Sequence, residues 1–237
     1  MNNFINQFKD LSYKYMRYRI FVPKNECDTL ILHLHGSGGR GNDNIKNLEH
    51  INQAGFHTLI NENLAYILVP QVPETHRFFD ILWTQTIYNQ DSVKIGEYLN
   101  LTYELLLETI KTYNIKHVIV EGFSMGGYAT IEIATRFPDL FEGVFVICGG
   151  FPISKLEKVK NKKIAIVHGD SDPIVPKSGS IKAYETLKKL DANVKLTIVE
   201  NCAHNAWDYI YSDPLILKNF IKKTCINCTS QAKVDSL

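Results

Sequence analysis

The chain has 237 residues, a length that fits one domain. Its 26 Lys and Arg against 25 Asp and Glu leave a formal charge of +1, a poor match for a polyanion, so nucleic acid is set aside as a partner. Hydrophobic residues at 45% supply a buried core and exclude a disordered chain, while no apolar run approaches the ~18 residues of a membrane-crossing helix.

The N-terminus, MNNFINQFKDLSYKYMRYRI, has no apolar h-region and no small-residue cleavage site, so the expected location is cytoplasmic, with no membrane partner. Short β-branched runs at 17–22, 29–34 and 65–69 read as strands, with a helical pattern at 45–54. The stretch 71–90 lacks periodicity but is rich in bulky groups. It reads either as a loop with its own small core or as a pocket wall. A helix follows at 93–113, where Tyr98, Leu101, Leu105, Ile110 and Tyr113 recur at helical spacing. A strand at 117–120 leads to a helix at 125–136, closed by Pro138.

Beyond it come strands at 144–148, 163–167 and 195–199 and helices at 179–190 and 206–222. The lysine-rich 155–163 reads as a solvated loop. Several strands are continuously apolar, as when helices cover both faces of a sheet. The alternation predicts an α/β fold with a mostly parallel, doubly wound sheet. The link of about 15 residues after Cys148 leaves no room for a separate lid domain. One domain over 1–223 is expected, followed by a polar tail at 224–237.

Five cysteines, at 27, 148, 202, 225 and 228, are an odd number with no export signal, so they are read as reduced. Cys225 and Cys228 form one CxxC without the second pair that a structural zinc needs. Neither metal nor organic cofactor is implied.

The segment Gly122-Phe123-Ser124-Met125-Gly126 is a G-x-S-x-G. It follows the apolar KHVIV and precedes the helical YATIEIATRF, the strand–turn–helix setting of a nucleophile elbow. Side chains at 122 and 126 would collide with backbone across such a turn. A serine at its free pKa needs a base. Among eight histidines, the chain order Ser…Asp/Glu…His selects His204, in the loop after the strand KLTIVE. His33, His35, His117 and His168 sit at strand ends and read as structural. The acid belongs after a strand between nucleophile and base, and HGDSDP offers Asp170 and Asp172 without choosing between them. After an early strand, HGSGGRG frees backbone N–H groups to meet an oxyanion. The residue after the nucleophile, Met125, supplies a second N–H.

With HLHGSGGRGNDN, ILVPQVP, GFSMGGYAT, HGDSDPIVP and CAHNAWDYIYSDPLILKNFI in this order, the sequence resembles the α/β-hydrolases. Within them it is similar to lidless esterases related to feruloyl esterases, polyhydroxybutyrate depolymerases and predicted peptidases of the dienelactone-hydrolase and prolyl-oligopeptidase kind. The resemblance implies a serine esterase with Ser124 as nucleophile, His204 as base and a D-x-x-V-P acid, which is Asp172. It implies the Ser37 N–H as the first oxyanion donor, beside that of Met125. It places Trp207 next to the site, and His35, Phe79 and Trp83 are added as candidate pocket residues. The expected partner is a small-molecule ester. Ser37 and Gly39 stand where relatives often carry Ala and Glu, and Phe78-Phe79 where they often carry Trp, so the substrate does not carry over. A peptidase, a thioesterase and a non-catalytic binding module of the same fold are the alternatives.

Overall fold

A computed structural model describes residues 2–224. In chain order the strands are β1 (Phe8–Tyr13), β2 (Met16–Phe21), β3 (Thr29–Leu34), β4 (Tyr66–Gln71), β5 (His117–Phe123), β6 (Gly143–Ile147), β7 (Lys163–Gly169) and β8 (Val194–Val199). The helices are α1 (Asn2–Ile5), α2 (Ala54–Asn61), α3 (Glu97–Tyr113), α4 (Met125–Arg136), α5 (Ser178–Lys189), α6 (Ala206–Tyr211) and α7 (Ile216–Thr224). All eight strands join one sheet in the order β1-β2-β4-β3-β5-β6-β7-β8. The β1–β2 and β2–β4 pairs are antiparallel and the other five parallel.

Side chains alternate across a strand, so a strand apolar at every position feeds two cores. On β3, Leu30, Leu32 and Leu34 join the core under α3, α4 and α5, with Leu105, Ile131 and Leu187. Ile31 points the other way, into the core shared with Phe56 of α2, Ile210 of α6 and Phe220 of α7. The strand β7 divides likewise, Ile164 and Ile166 to the first core and Ala165 and Val167 to the second.

Four local expectations change. The edge strand β1 was missed because it buries only Phe8 at its start and shows no alternation. The helix expected at 45–54 is a 3₁₀ turn, Lys46–Leu48, and the helix proper is α2. Polar side chains compete there for backbone groups. Asp43 Oδ1 accepts the Ile45 and Lys46 N–H groups at 2.9 and 3.2 Å, and Asn47 Nδ2 donates to the Val69 carbonyl at 3.1 Å. The helix expected at 206–222 is broken into α6 and α7 around Pro214, which lacks an N–H and keeps Asp213 out of helical geometry. Within 155–163 the chain forms a 3₁₀ turn, Ile153–Val159, that buries Leu156 and Val159, so it is more than a solvated loop. Cys225, Cys228 and the rest of the expected tail beyond Thr224 lie outside the described residues. No helix among the described residues is long and apolar enough to cross a membrane.

Candidate active site

The parallel strands end along one edge of the sheet, and the chain reverses its direction of growth between β3 and β5. In such sheets the crevice at the carboxyl ends of the reversal point receives the ligand. Ser37 follows β3 and Ser124 follows β5, so the two loops face this crevice.

Ser124 sits at φ 55°, ψ −121°, in the region that side chains avoid. Such backbone costs of order 1–3 kcal/mol and persists where its surroundings hold it. Here the Ser124 N–H donates to the Ile147 carbonyl at 2.9 Å and its carbonyl accepts the Tyr128 N–H at 3.0 Å. The turn is tight enough to require glycine. A Cβ on Gly126 would stand 1.7 Å from the Leu34 carbonyl oxygen, and one on Gly122 2.5 Å from the same atom. The start of α4 therefore lies directly against the end of β3. Met125 carries the first N–H of α4 and Ser37 the first of a 3₁₀ turn, Ser37–Gly39, positions without an acceptor inside their own helix.

His204 lies on the loop between β8 and α6. The last residue of β7 accepts this loop closely, since a Cβ on Gly169 would stand 2.0 Å from the Ala203 carbonyl oxygen. Its Nε2 is 2.8 Å from Ser124 Oγ, and its Nδ1 is 2.7 Å from Asp172 Oδ2. The Asp172 side chain is fully buried, while that of His204 keeps 19% of its surface exposed. Burial works to raise the Asp172 pKa. Hydrogen bonds from His168, His204 and the Val175 and Ile174 N–H groups outweigh it and hold the carboxyl well below the usual range. Asp170, left open by the residue pattern, is turned elsewhere. Its Oδ1 accepts the Cys202 N–H at 3.1 Å and the Ser171 hydroxyl at 2.9 Å.

Trp207 stands edge-on to the His204 ring, centroids 5.4 Å apart at 90°. Trp83 is half-buried on Tyr128, whose hydroxyl donates to the Trp83 carbonyl at 2.6 Å. Two of the candidate pocket residues are corrected. His35 is 1% exposed and Phe79 3%, so neither offers a surface to a ligand. His35 instead shapes its own loop, its Nδ1 2.7 Å from the Gly36 carbonyl and its Nε2 accepting the Val72 N–H at 3.1 Å. Phe79 packs on Tyr88, and the 71–90 stretch has no separate core: its Phe78, Phe79, Ile81 and Tyr88 join the main core under α3, α4 and α5. That stretch is pinned to α4 by the buried Glu132, which accepts Tyr88 Oη at 2.7 Å and Gln90 Nε2 at 3.0 Å.

Two residues near the site were passed over. His50 packs edge-on against Trp207, centroids 5.5 Å apart. His168 reaches Asp172 Oδ2 at 3.3 Å. The one signal for the latter was its spacing of four from Asp172 across a glycine-containing turn. Among the described residues, Cys148 Sγ, a His168 nitrogen and an Asp172 oxygen lie within 4.8 Å of one another. Burial pushes the Cys148 thiol up to about 12, so in the metal-free protein it stays protonated at neutral pH.

The sequence profile of the phospholipase/carboxylesterase family matches residues 16–225. Acyl-protein thioesterase 1 of Saccharomyces cerevisiae is 25% identical over 215 residues, covering 82% of this chain and 92% of the yeast protein. A thermostable esterase of known structure superposes with a TM-score of 0.80 at 24% identity; the match covers 92% of this chain but 63% of that one. A ferulic acid esterase from the anaerobic fungus Anaeromyces mucronatus gives a TM-score of 0.63 at 18% identity, over 92% of this chain and 90% of its own.

Proposed function

The chain belongs to the phospholipase/carboxylesterase family, whose members cleave ester bonds, and on that premise we propose that it is a serine carboxylesterase for small or aromatic acyl groups, acylated sugars among its substrates. The observation that carries the reading is the run of hydrogen bonds Ser124–His204–Asp172, at 2.8 and 2.7 Å, on a strained strand–helix turn.

In this scheme Ser124 Oγ attacks the acyl carbonyl carbon as its proton passes to His204 Nε2. The carbonyl electrons move onto oxygen, and the N–H groups of Ser37 and Met125 hold that oxyanion. As the oxyanion collapses, the imidazolium gives its proton to the leaving alkoxide and the alcohol departs. A water then gives its proton to Nε2 and attacks the acyl-enzyme, and Ser124 leaves with the proton restored. Asp172 holds the His204 tautomer with Nδ1–H and offsets the imidazolium charge; its lowered pKa keeps it ionised throughout. Trp83 and Trp207 serve as aromatic walls of the crevice. The segment between β6 and β7 holds only a short 3₁₀ turn, so the site stays open, which favours small acyl groups on bulky alcohols.

A thioester reading has its own support, the 25% identity with acyl-protein thioesterase 1 across most of both chains. The same triad would act on it, with a thiolate as leaving group. The test is a p-nitrophenyl ester series from acetyl to decanoyl, an acyl thioester and an aminoacyl-p-nitroanilide, each with wild type and Ser124→Ala. Fast cleavage of short esters, lost in the variant and falling with chain length, is the expected result. Preference for the thioester would shift the reading to a thioesterase, cleavage of the anilide alone to a peptidase, and equal slow rates in both proteins to a binding module.

A further inference from the structure

Asp172 carries a second imidazole that this scheme does not use. His168, next to last in β7, has a fully buried side chain. Its Nε2 lies 3.3 Å from Asp172 Oδ2 and 2.8 Å from the Val175 carbonyl oxygen. Both neighbours are acceptors, which assigns the proton to Nε2. Its Nδ1 lies 2.7 Å from Ser180 Oγ at the start of α5. In the neutral ring the Ser180 hydroxyl then donates to Nδ1.

These contacts close a ring around the carboxylate. Asp172 Oδ1 accepts the Ile174 and Val175 N–H groups, each at 2.9 Å. The Val175 carbonyl accepts from His168, and His168 also reaches the opposite carboxylate oxygen. With Oδ1 held by two backbone N–H groups and Oδ2 lying against the buried His168 ring, rotation of the carboxylate about its Cβ–Cγ bond is opposed. The His204 N–H thus meets an oxygen already aimed at it.

We infer that His168, backed by Ser180, is a positioning residue that sets the plane of the Asp172 carboxylate for His204. The inference rests on the triad reading above. The groups facing His168 are Cys148 from the end of β6, Asp172 and Val175 from the turn after β7, and Ser180 from α5. His204 Nδ1 meets the same oxygen as His168, Asp172 Oδ2, at 2.7 Å. The His168 Nε2–H is directed at the Val175 carbonyl and lies 3.3 Å from Asp172 Oδ2, so the positive end of its dipole sits beside the oxygen that His204 bonds. Removing that dipole loosens the carboxylate and also lifts a small repulsion from the imidazolium. The rate therefore falls, and the acid limb of the pH profile moves upward.

The test is the rate of Ser124 phosphonylation by an alkyl fluorophosphonate, in which Oγ forms the P–O bond, fluoride leaves and His204 takes the proton. It needs no knowledge of the natural substrate. His168→Leu is expected to label about 10- to 100-fold more slowly, since small misplacement of a reacting group has this cost, with its half-maximal pH displaced upward. His168→Asn, which keeps an N–H donor, is expected to recover part of the rate. Ser180→Ala is expected to show a smaller loss in the same direction, and it decides the matter if His168→Leu does not fold. Folded variants that label at the wild-type rate overturn the inference. So does a loss that follows only the unfolded fraction, with the pH midpoint unmoved. A wild type that is not labelled at Ser124 overturns the serine-hydrolase reading itself, a separate outcome.

Discussion

The Leu34 carbonyl and Gly126 touch at the junction of the two loops that face the crevice, with room for a hydrogen and none for a methyl group: a Cβ on Gly126 would stand 1.7 Å from that oxygen. Any side chain at 126 must push the end of β3 away from the start of α4. The Ser37 and Met125 N–H groups ride on those two segments. Gly126→Ala is expected to lower kcat/KM by about 100-fold through misplaced oxyanion donors. It is also expected to cost about 1–3 kcal/mol of stability from overpacking. Ester kinetics beside denaturant melts check both. A fully active variant would mean that the donors lie elsewhere.

The two aspartates after β7 separate by their bonds. Asp172 bonds His204, whereas Asp170 bonds the Cys202 N–H and Ser171. By analogy with other triads, Ser124→Ala and His204→Ala should each reduce kcat by roughly 10⁶ and Asp172→Asn by about 10⁴. Asp170→Asn should leave kcat within a few-fold. Reversed results for the two aspartates would move the acid to Asp170.

His35 links the site loop to the pH dependence of stability. Burial, partly offset by its bond to the Gly36 carbonyl, pulls its pKa from 6.5 down to about 3. The folded state keeps this ring neutral where the unfolded chain would protonate it. Its contribution is therefore full above pH 6.5 and is lost as pH falls toward 3, by up to about 1.4 kcal/mol per pH unit. Urea unfolding at steps from pH 7 to pH 4.5 should show this slope in wild type and a flatter one in His35→Gln. That window lies above the range in which the Asp172 carboxylate loses its own contribution, which begins near the ordinary aspartate pKa. Equal slopes would refute the assignment.

Behind the elbow, Tyr211 Oη donates to Glu121 Oε2 at 2.7 Å, and His33 Nδ1 bonds the other carboxylate oxygen. Both Tyr211 and Glu121 are buried. Tyr211→Phe removes one donor from a buried carboxylate and is expected to cost about 1–3 kcal/mol. Activity per folded molecule should stay within a few-fold, because Tyr211 touches none of the triad side chains. Equilibrium unfolding together with active-site titration measures the two effects separately.

Much of the architecture was legible in the chain. Strands buried nearly throughout, such as β3 and β7, read correctly because two covered faces leave a run of consecutive apolar residues. The helix at 125–136 was found to the residue, since the glycine-rich turn before it and Pro138 after it are local stops. The edge strand β1 was not, because its pairing partner rather than its own pattern holds it in the sheet. The helix expected at 45–54 failed for a related reason: Asn47 bonds the Val69 carbonyl of β4, more than twenty residues away in the chain.

By itself the sequence determined an α/β fold with a mostly parallel sheet, because local periodicity shows it, and its motifs of a few residues carried the resemblance to the α/β-hydrolases. Tertiary structure decided what depends on distant segments meeting. It brought His204 Nδ1 to Asp172 rather than Asp170, buried His35 and Phe79, and set His168 against Asp172. Which of two neighbouring carboxylates faces an imidazole depends on the direction of each side chain after a turn. The residue types alone leave that direction open; the D-x-x-V-P resemblance implied Asp172, and the structure adds the Ile174 and Val175 N–H groups that orient it and the distant loop that brings His204 to it.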